Sequence, residues 1–555
     1  MTAHHKPYLT TPDQTETRMP AGVPFIIGNE LAERFSFYGM KGILTVFMTQ
    51  HLMNAAGESA NMSDERAKTV YHLFTASAYF FPILGAIMAD VFWGKYKTIL
   101  WISLMYCVGH GCLALMDLGP ITGLWDMTPF LFLGLALIAV GAGGIKPCVS
   151  AHVGDQFGRG NKHLLTQIFN WFYFSINVGA MLSTILTPIL LEKVGPWAAF
   201  GLPGTLMAIA TFVFWMGRHK FIHVPAAGWE NFKRETFGPE GRRAILNLAP
   251  LFLVFVPVFW AIFDQTGSAW VLQAESMDRR FLGFTWLESQ VQAVNPFFIL
   301  LLIPVFTYGV YPAISKVFPL TPLRKIGIGF VLTAATFALS AMIEVWIDDR
   351  SGPVMTRLWA DLNASGDMPA RLSDMVRTAK EMGWTQDQLT PYLADMPNIG
   401  LQFIAYIILT SAEIMVSIVC LEFAYTQSPK RMKSFVMGIY FLGVSLGNFY
   451  VSGVNIVMDA MKDPVTGSTP LDGANYYWFF AGLMMAAFFI YLIWAKTYKG
   501  QTYIQGEPDA ADIRCPSCAY DLHGTSGNAC PECGADITDL RIVQAQAEAQ
   551  GPDAR

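Results

Sequence analysis

Charge is what this sequence has least of. Of its 555 residues only 14% are Asp, Glu, Lys or Arg, where soluble domains carry about 25%. A soluble chain this long would split into several domains, each with its own polar surface, and the charge to clothe those surfaces is missing. With 53% hydrophobic and 14% aromatic residues, a disordered or collagen-like chain is excluded as well. An extracellular disulfide framework is also absent: Cys107, Cys112, Cys148 and Cys420 are scattered through apolar stretches, while Cys515, Cys518, Cys530 and Cys533 cluster near the end. Residues 1–24 are polar, with no apolar leader before a small-residue cleavage site, so targeting is expected to fall to the first apolar stretch. The net charge of −5 gives no hint of a nucleic-acid partner. No nucleophile–base constellation or phosphate-cradling loop points to an enzyme.

What the chain does have is a succession of long apolar stretches. About 20 apolar residues cross the roughly 30 Å of bilayer hydrocarbon, and twelve stretches qualify: 25–51, 68–92, 97–117, 128–152, 164–191, 197–217, 245–273, 285–312, 324–346, 399–425, 432–459 and 474–496. Backbone groups in lipid must be satisfied within the segment, so the expected fold is an all-α polytopic membrane protein. Even-numbered loops hold the bases, among them Lys95, Lys97, Arg159, Lys162, Arg218, Lys233, Arg242, Lys316, Arg324, Lys430 and Arg431. Odd-numbered loops are acidic or mixed, as at Asp117, Asp126, Asp348 and Asp349. That asymmetry places both termini and the even loops in the cytoplasm. A polar N-terminal segment (1–24), a six-span bundle (25–217), a basic linker (218–244), a second six-span bundle (245–497) and a cytoplasmic tail (498–555) follow in order. Six spans plus six fits two halves rocking around a central site. An external insertion at 347–397 alternates charged and apolar residues at helical spacing, as a small helical cap would, or a solvated loop.

The few charges inside the spans are the informative ones. A charge at the bilayer centre costs at least about 2.5–3.5 kcal/mol on insertion scales, so such groups face a bundle interior. In the first span Glu30, Glu33, Arg34, Phe37, Tyr38 and Lys41 fall on one broad helical face, which must line a cavity. Lys146 ends a glycine-rich run; His72 and Tyr79 share a face of the second span, Tyr173 and Asn177 of the fifth, and Trp260 and Asp264 of the seventh. Asn295 precedes a proline in the eighth span and Glu413 lies within the tenth. Acids, bases, amides and tyrosines around one cavity suit a small zwitterion. Separating Glu33 from Arg34 or Lys146 would favour protonation, which would couple proton entry to conformation. The first-span cluster could instead be a static ion-pair network, His72 a packing histidine, and the tyrosines packing or interfacial groups.

The first-span run resembles the ExxERFxYYG pattern of proton-dependent oligopeptide transporters, a branch of the major facilitator superfamily. Further similarity lies in Tyr79-Phe80-Phe81-Pro82, Ile145-Lys146-Pro147 with Gly154-Asp155-Gln156-Phe157, Phe172-Tyr173 with Asn177, Phe259-Trp260 with Asp264-Gln265, and Glu422 through Pro429 to Ser434, covering about residues 22–498. The resemblance implies the major facilitator fold and import of di- and tripeptides with protons by a monomer in the lipid of a bacterial inner membrane, with no cofactor for transport. It makes Glu30, Glu33 and Arg34 the proton-coupling triad, with Lys146 their partner and a contributor to binding the peptide carboxylate. Asn177, Asn295 and Glu413 would hold the peptide's amino end, while Tyr38, Tyr79, Tyr173 and Trp260 shape side-chain pockets. The His72 and Asp264 pair matches positions that sense protons and close the outer gate in animal and some bacterial members. Three positions depart: Phe37 replaces a tyrosine, Lys41 an arginine and Tyr440, near the end of the pocket, a tryptophan. Lys41 keeps the charge but loses the bidentate fork. These departures bear on peptide preference and on the strength of an Asp264 gate pair. Two alternatives remain: carriage of another small anion or zwitterion on the same scaffold, or a peptide-binding sensor that signals through its tail.

That tail carries Cys515, Cys518, Cys530 and Cys533 as two C-x-x-C knuckles eleven residues apart within 514–535. Four thiolates so spaced can close a tetrahedral zinc site, and a reducing cytoplasm favours metal over disulfide. Zn2+ is therefore the expected ion there, with a structural or protein-contact role.

Overall fold

The computed structural model describes residues 8–498 apart from 159, 227, 365, 428–432 and 464–467. The zinc ribbon expected at Cys515, Cys518, Cys530 and Cys533 lies outside the described residues. Among those described, no group of three or more His, Cys, Asp or Glu side chains is placed to hold a metal ion.

The chain is mostly helical. The first half consists of α1 (Val23–Gln50), α2 (Asp64–Ile87), α3 (Lys95–Leu115), α4 (Met127–Asp155), α5 (Leu165–Lys193) and α6 (Pro196–Met216). Starts follow local chemistry: Ser63 caps α2 by accepting the Arg66 backbone N–H, and Asp64 and Glu65 sit in its first turn, where the helix dipole favours acids. The second half consists of α7 (Gly241–Glu275), α8 (Glu288–Ser315), α9 (Pro322–Leu362), two short helices α10 (Leu372–Glu381) and α11 (Gln386–Leu393), then α12 (Gly400–Ala424), α13 (Lys433–Ala460) and α14 (Ala474–Thr497).

Eleven of these helices are long and apolar enough to cross a membrane. The 28-residue α1 is equally long, but its own Glu30, Glu33, Arg34 and Lys41 lower its apolar character. Several long helices are irregular. A π turn at Leu251–Phe255 follows Pro250, and another at Phe306–Val310 follows Pro304; a proline removes a backbone donor, and a widened turn redistributes the bonds. In α7 a 3-10 turn at Asp264–Gly267 interrupts the helix.

The structure departs from the sequence expectation in two places. The chain is not purely helical, because Arg280–Phe281 and Phe284–Thr285 pair as an antiparallel hairpin, turned at Leu282 (φ 54°) and Gly283 (φ 81°) as a two-residue turn requires. The span expected to end at 346 continues unbroken as α9 to Leu362. Its projecting end buries Val354, Met355, Leu358 and Leu362 with Met375, Val376, Ala379, Leu389 and Leu393 of α10 and α11. A helical cap therefore covers one end of the bundle, rather than a solvated loop.

Two large apolar cores form, one running from Val23 to Phe221 and joined by Val271 of the second half, the other from Leu248 to Tyr491 with the cap included; a small third cluster gathers Ile299, Phe306, Ile414 and Met415. Helices of each half meet closely where side chains vanish: a Cβ on Gly85 of α2 would lie 2.1 Å from the Gly144 carbonyl oxygen of α4. Lys95 at the start of α3 bonds Asp155 at the end of α4, at 2.7 Å.

Candidate functional site

The charged stripe of α1 is buried, with Glu30 and Glu33 each 1% exposed, while Leu31 on the opposite side is exposed. Arg34 Nε lies 2.6 Å from Glu30 Oε1 and 3.1 Å from Glu33 Oε2. Glu33 is held as an ion pair alone, since neither of its oxygens accepts a hydrogen bond. One base thus serves two buried carboxylates, an arrangement that depends on Arg34 staying in place.

Lys146, placed by the glycine-rich run of α4, carries a buried ammonium with no hydrogen-bond partner among the described residues. It lies 4.0 Å from the Tyr79 ring centre and 4.2 Å from that of Phe37, so two aromatic faces supply its local stabilisation. The expected partnership with Glu33 is not an ion pair in this conformation. Phe37, which lacks the tyrosine hydroxyl, still offers its ring to Lys146. Tyr38 packs edge-on against Phe37.

Across the seam, the Tyr79 ring lies 6.4 Å from Trp260 and 6.0 Å from Phe441. Asn295 Nδ2 donates to Glu413 Oε2 at 2.8 Å and to Thr410 at 3.1 Å, joining α8 to α12 just before the π turn at Ile414–Ile418. The structure thus brings Tyr79 to Trp260 and Asn295 to Glu413. Asn177 bonds its own helix through the Tyr173 carbonyl oxygen, and neither residue bonds Asn295 or Glu413. Tyr440 is buried in its own half, sharing a 3.0 Å hydrogen bond with Ser417; its neighbour Phe441 reaches Tyr79 instead.

A polar chain closes the seam further along. Lys41 Nζ donates to Asp264 Oδ1 at 2.7 Å. Lys41, expected among the substrate contacts, is therefore engaged with the second half, because Asp264 sits where the 3-10 turn of α7 bends toward α1. His72 does not touch Asp264: its Nδ1 is 2.7 Å from Asn448 Oδ1 and its Nε2 2.8 Å from Ser268 Oγ, while Asn448 Nδ2 donates to Asp264 Oδ2 at 2.8 Å. Asn448 and Ser268 are site residues that sequence reasoning did not single out. A usable signal existed for the first, since Ser445, Asn448, Ser452 and Asn455 recur at helical spacing on apolar α13. Thr45 Oγ1 to the Gly267 carbonyl oxygen and Ser445 Oγ to that of Ala76 complete the seal.

The cap spans the same seam. Arg377 bonds Asp64 of the first half and Glu275 of the second, each at 2.7 Å; Lys380 bonds Gln50 at 2.9 Å and Glu288 at 3.0 Å. Arg279 is paired to Glu288 and Gln386. Burial opposes the charge of Arg377, yet Asp64 and Glu275 hold its pKa above the ordinary guanidinium value. Burial, aided by the Arg279 charge, pushes Lys380 down to about 8. All these cross-seam bonds lie between the level of Tyr79 and the capped end, so the two halves are clasped on that side.

The model of the POT family matches residues 96–238, 229–360 and 372–471. Peptide transporter 3 of Caenorhabditis elegans is 38% identical over 380 residues, covering 60% of this chain and 51% of its own. Solute carrier family 15 member 2 of Mus musculus is 34% identical over 386 residues, covering 62% and 52%. The chain spans about half the length of the curated relatives it matches. The crystal structure of an auto-inhibited POT family peptide transporter superposes with a TM-score of 0.69 at 30% identity, covering 88% of this chain and 99% of that one.

Proposed function

The chain belongs to the POT family, and from that premise we propose that it is a secondary transporter, not an enzyme, importing di- and tripeptides with protons by alternating access. The observation that carries this reading is Lys146: a buried ammonium without a hydrogen-bond partner, beside aromatic rings that reach across the seam. An unpaired buried charge is costly, and a peptide carboxylate would satisfy it. In the other half, Glu413, held by Asn295, offers a carboxylate to the peptide's amino group. Tyr38, Tyr79, Tyr173, Asn177 and Trp260 would line the pocket between them.

Proton coupling would run through the α1 stripe. Arg34 serves both Glu30 and Glu33; a carboxylate arriving at Lys146 would compete for nearby positive charge, and proton uptake by a carboxyl left unpaired relieves the cost of burying it. Lys41, Asp264, Asn448 and His72 would form the gate that must part before the site faces the capped side. With α1 counted, twelve spans form two six-helix bundles of the major facilitator fold. The basic loops put both termini in the cytoplasm and the cap outside, and a bacterial inner membrane suits that orientation. Zn2+ on the four tail cysteines, function as a monomer and the absence of a nucleic-acid partner complete the proposal.

Uptake of a labelled dipeptide into liposomes under an imposed inward proton gradient tests it. The wild type should accumulate dipeptide and lose that accumulation with a protonophore. Glu33→Gln should abolish gradient-driven accumulation while retaining exchange, and Lys146→Ala should lower apparent affinity by about tenfold or more, as losing a charged hydrogen bond does. Uptake indifferent to protonophores, or not competed by unlabelled peptides, overturns the reading.

A further inference from the structure

Under the cap, away from the central residues, lies a cavity of about 820 Å³, within the size range of small-molecule sites. Its walls come from α2, α7, α9, the cap and the ends of α13 and α14. Most of its charges are matched: Arg371 pairs with Asp472, Arg377 with Asp64, and Lys462 lies 3.5 Å from Glu65. Three are not. Lys68 of α2 is only 7% exposed, and its ammonium makes no hydrogen bond or ion pair among the described residues; its close neighbour is the Tyr476 ring, with the centre 4.4 Å away. On the opposite half Glu344 and Asp348 stand one turn apart on α9. Among the described residues Glu344 accepts only from Gln273, at 2.7 Å, and no cation lies within ion-pair distance of either carboxylate. Asp348 and Lys462 at the rim are exposed, so the cavity communicates with solvent.

A buried ammonium without an anion is a group awaiting one, and two unpaired carboxylates across the same cavity await a cation. We propose that this vestibule is an outer docking site for the zwitterionic peptide, with the carboxylate on Lys68 and the ammonium between Glu344 and Asp348. This deepens the transport reading and rests on it. The polarity supports it: in both chambers the ammonium without an anion belongs to the first half (Lys68, Lys146) and a carboxylate without a cation to the second (Asp348, Glu413). A peptide held here has the orientation it needs below, so it can descend when the Lys41–Asp264 gate parts without turning end over end. Tyr476 and Tyr477 provide a wall for its side chains without selecting among them.

The full chain in nanodiscs, exposed to a photoreactive dipeptide carrying a benzophenone side chain, tests the site by mapping adducts with mass spectrometry. Expected are two groups of adducts, one near Tyr79 or Trp260 and one near Tyr476 or Asp348. Lys146→Ala should lose the first and keep the second. Lys68→Gln and, separately, Asp348→Asn should cut the second about tenfold, the loss of one charged hydrogen bond, while Lys68→Arg keeps it. Adducts confined to the central residues, adducts unmoved by either substitution, or displacement by acetate as effective as by dialanine would each overturn the proposal. Vestibule adducts in a protein that accumulates no dipeptide would strike the transport reading and leave the docking site standing.

Discussion

At the scale of single residues, Asn448 turns two separate observations into one network. Its amide accepts from or donates to three groups: Oδ1 meets His72, and Nδ2 meets Asp264 and the Val444 carbonyl oxygen. Asn448→Leu fills the space but leaves His72 and Asp264 each short of a partner in a fully buried place. Loss of stability on the order of 3 kcal/mol is expected from two such orphans, measured as a fall in the melting temperature of the detergent-solubilised protein; an unchanged melting temperature would show the amide dispensable. The residue also marks the limit of legibility. Glu30, Glu33, Arg34 and Lys41 stood out because charge in an apolar span has few innocent explanations. A neutral amide costs less to bury than a charge and looks like any helix-packing asparagine until its partners, hundreds of residues away in sequence, are seen. Lys41 shows the converse: its inward direction was legible, its partner Asp264 was not, because spacing along one helix says nothing about which helix lies opposite.

At the scale of elements, the apolar stretches anticipated nearly every long helix, since about 20 such residues in lipid have no alternative to helix. The end of α9 escaped because Asp348, Asp349, Arg350, Gly352 and Pro353 together resemble a stop signal. The helix survives because the residues beyond Pro353 resume a buried stripe, and docking on the cap offsets the one lost hydrogen bond. Packing between helices was less visible still. Gly85→Val would drive a side chain into the Gly144 backbone, which lies on a helix and cannot yield as a flexible side chain would. A loss of about 1–3 kcal/mol is expected from such overpacking, read as a lowered melting temperature. Gly28→Val, where a Cβ meets nothing within 4 Å, serves as the control and should leave it near that of the wild type.

At the scale of the whole molecule, two cores meet along a polar seam, and the cap belongs to the second core while clasping the first. Lys380 makes part of that clasp sensitive to pH. Its folded value of about 8 lies below the ordinary lysine value of 10.5, so between the two the unfolded chain holds more protons and stability rises with pH. Relative to Lys380→Met, the wild type should therefore gain melting temperature as pH rises from 8 to 10, with little change in the difference between pH 6 and 7. A constant difference across the whole range would show that the ammonium carries no such burden.

The unbroken 41 residues of α9 amount to a rod about 61 Å long at 1.5 Å per residue, roughly twice the hydrocarbon thickness. Such a rod is a lever. Pivoting by about 15°, a typical rigid-body rotation, would swing a tip some 40 Å from its fulcrum through about 10 Å, a stroke several times the length of the Arg377 ion pairs. The Arg377–Asp64 pair, the one of the two that crosses between the halves, could not stretch to follow such a swing; it would be made or broken outright, a two-position latch at the surface.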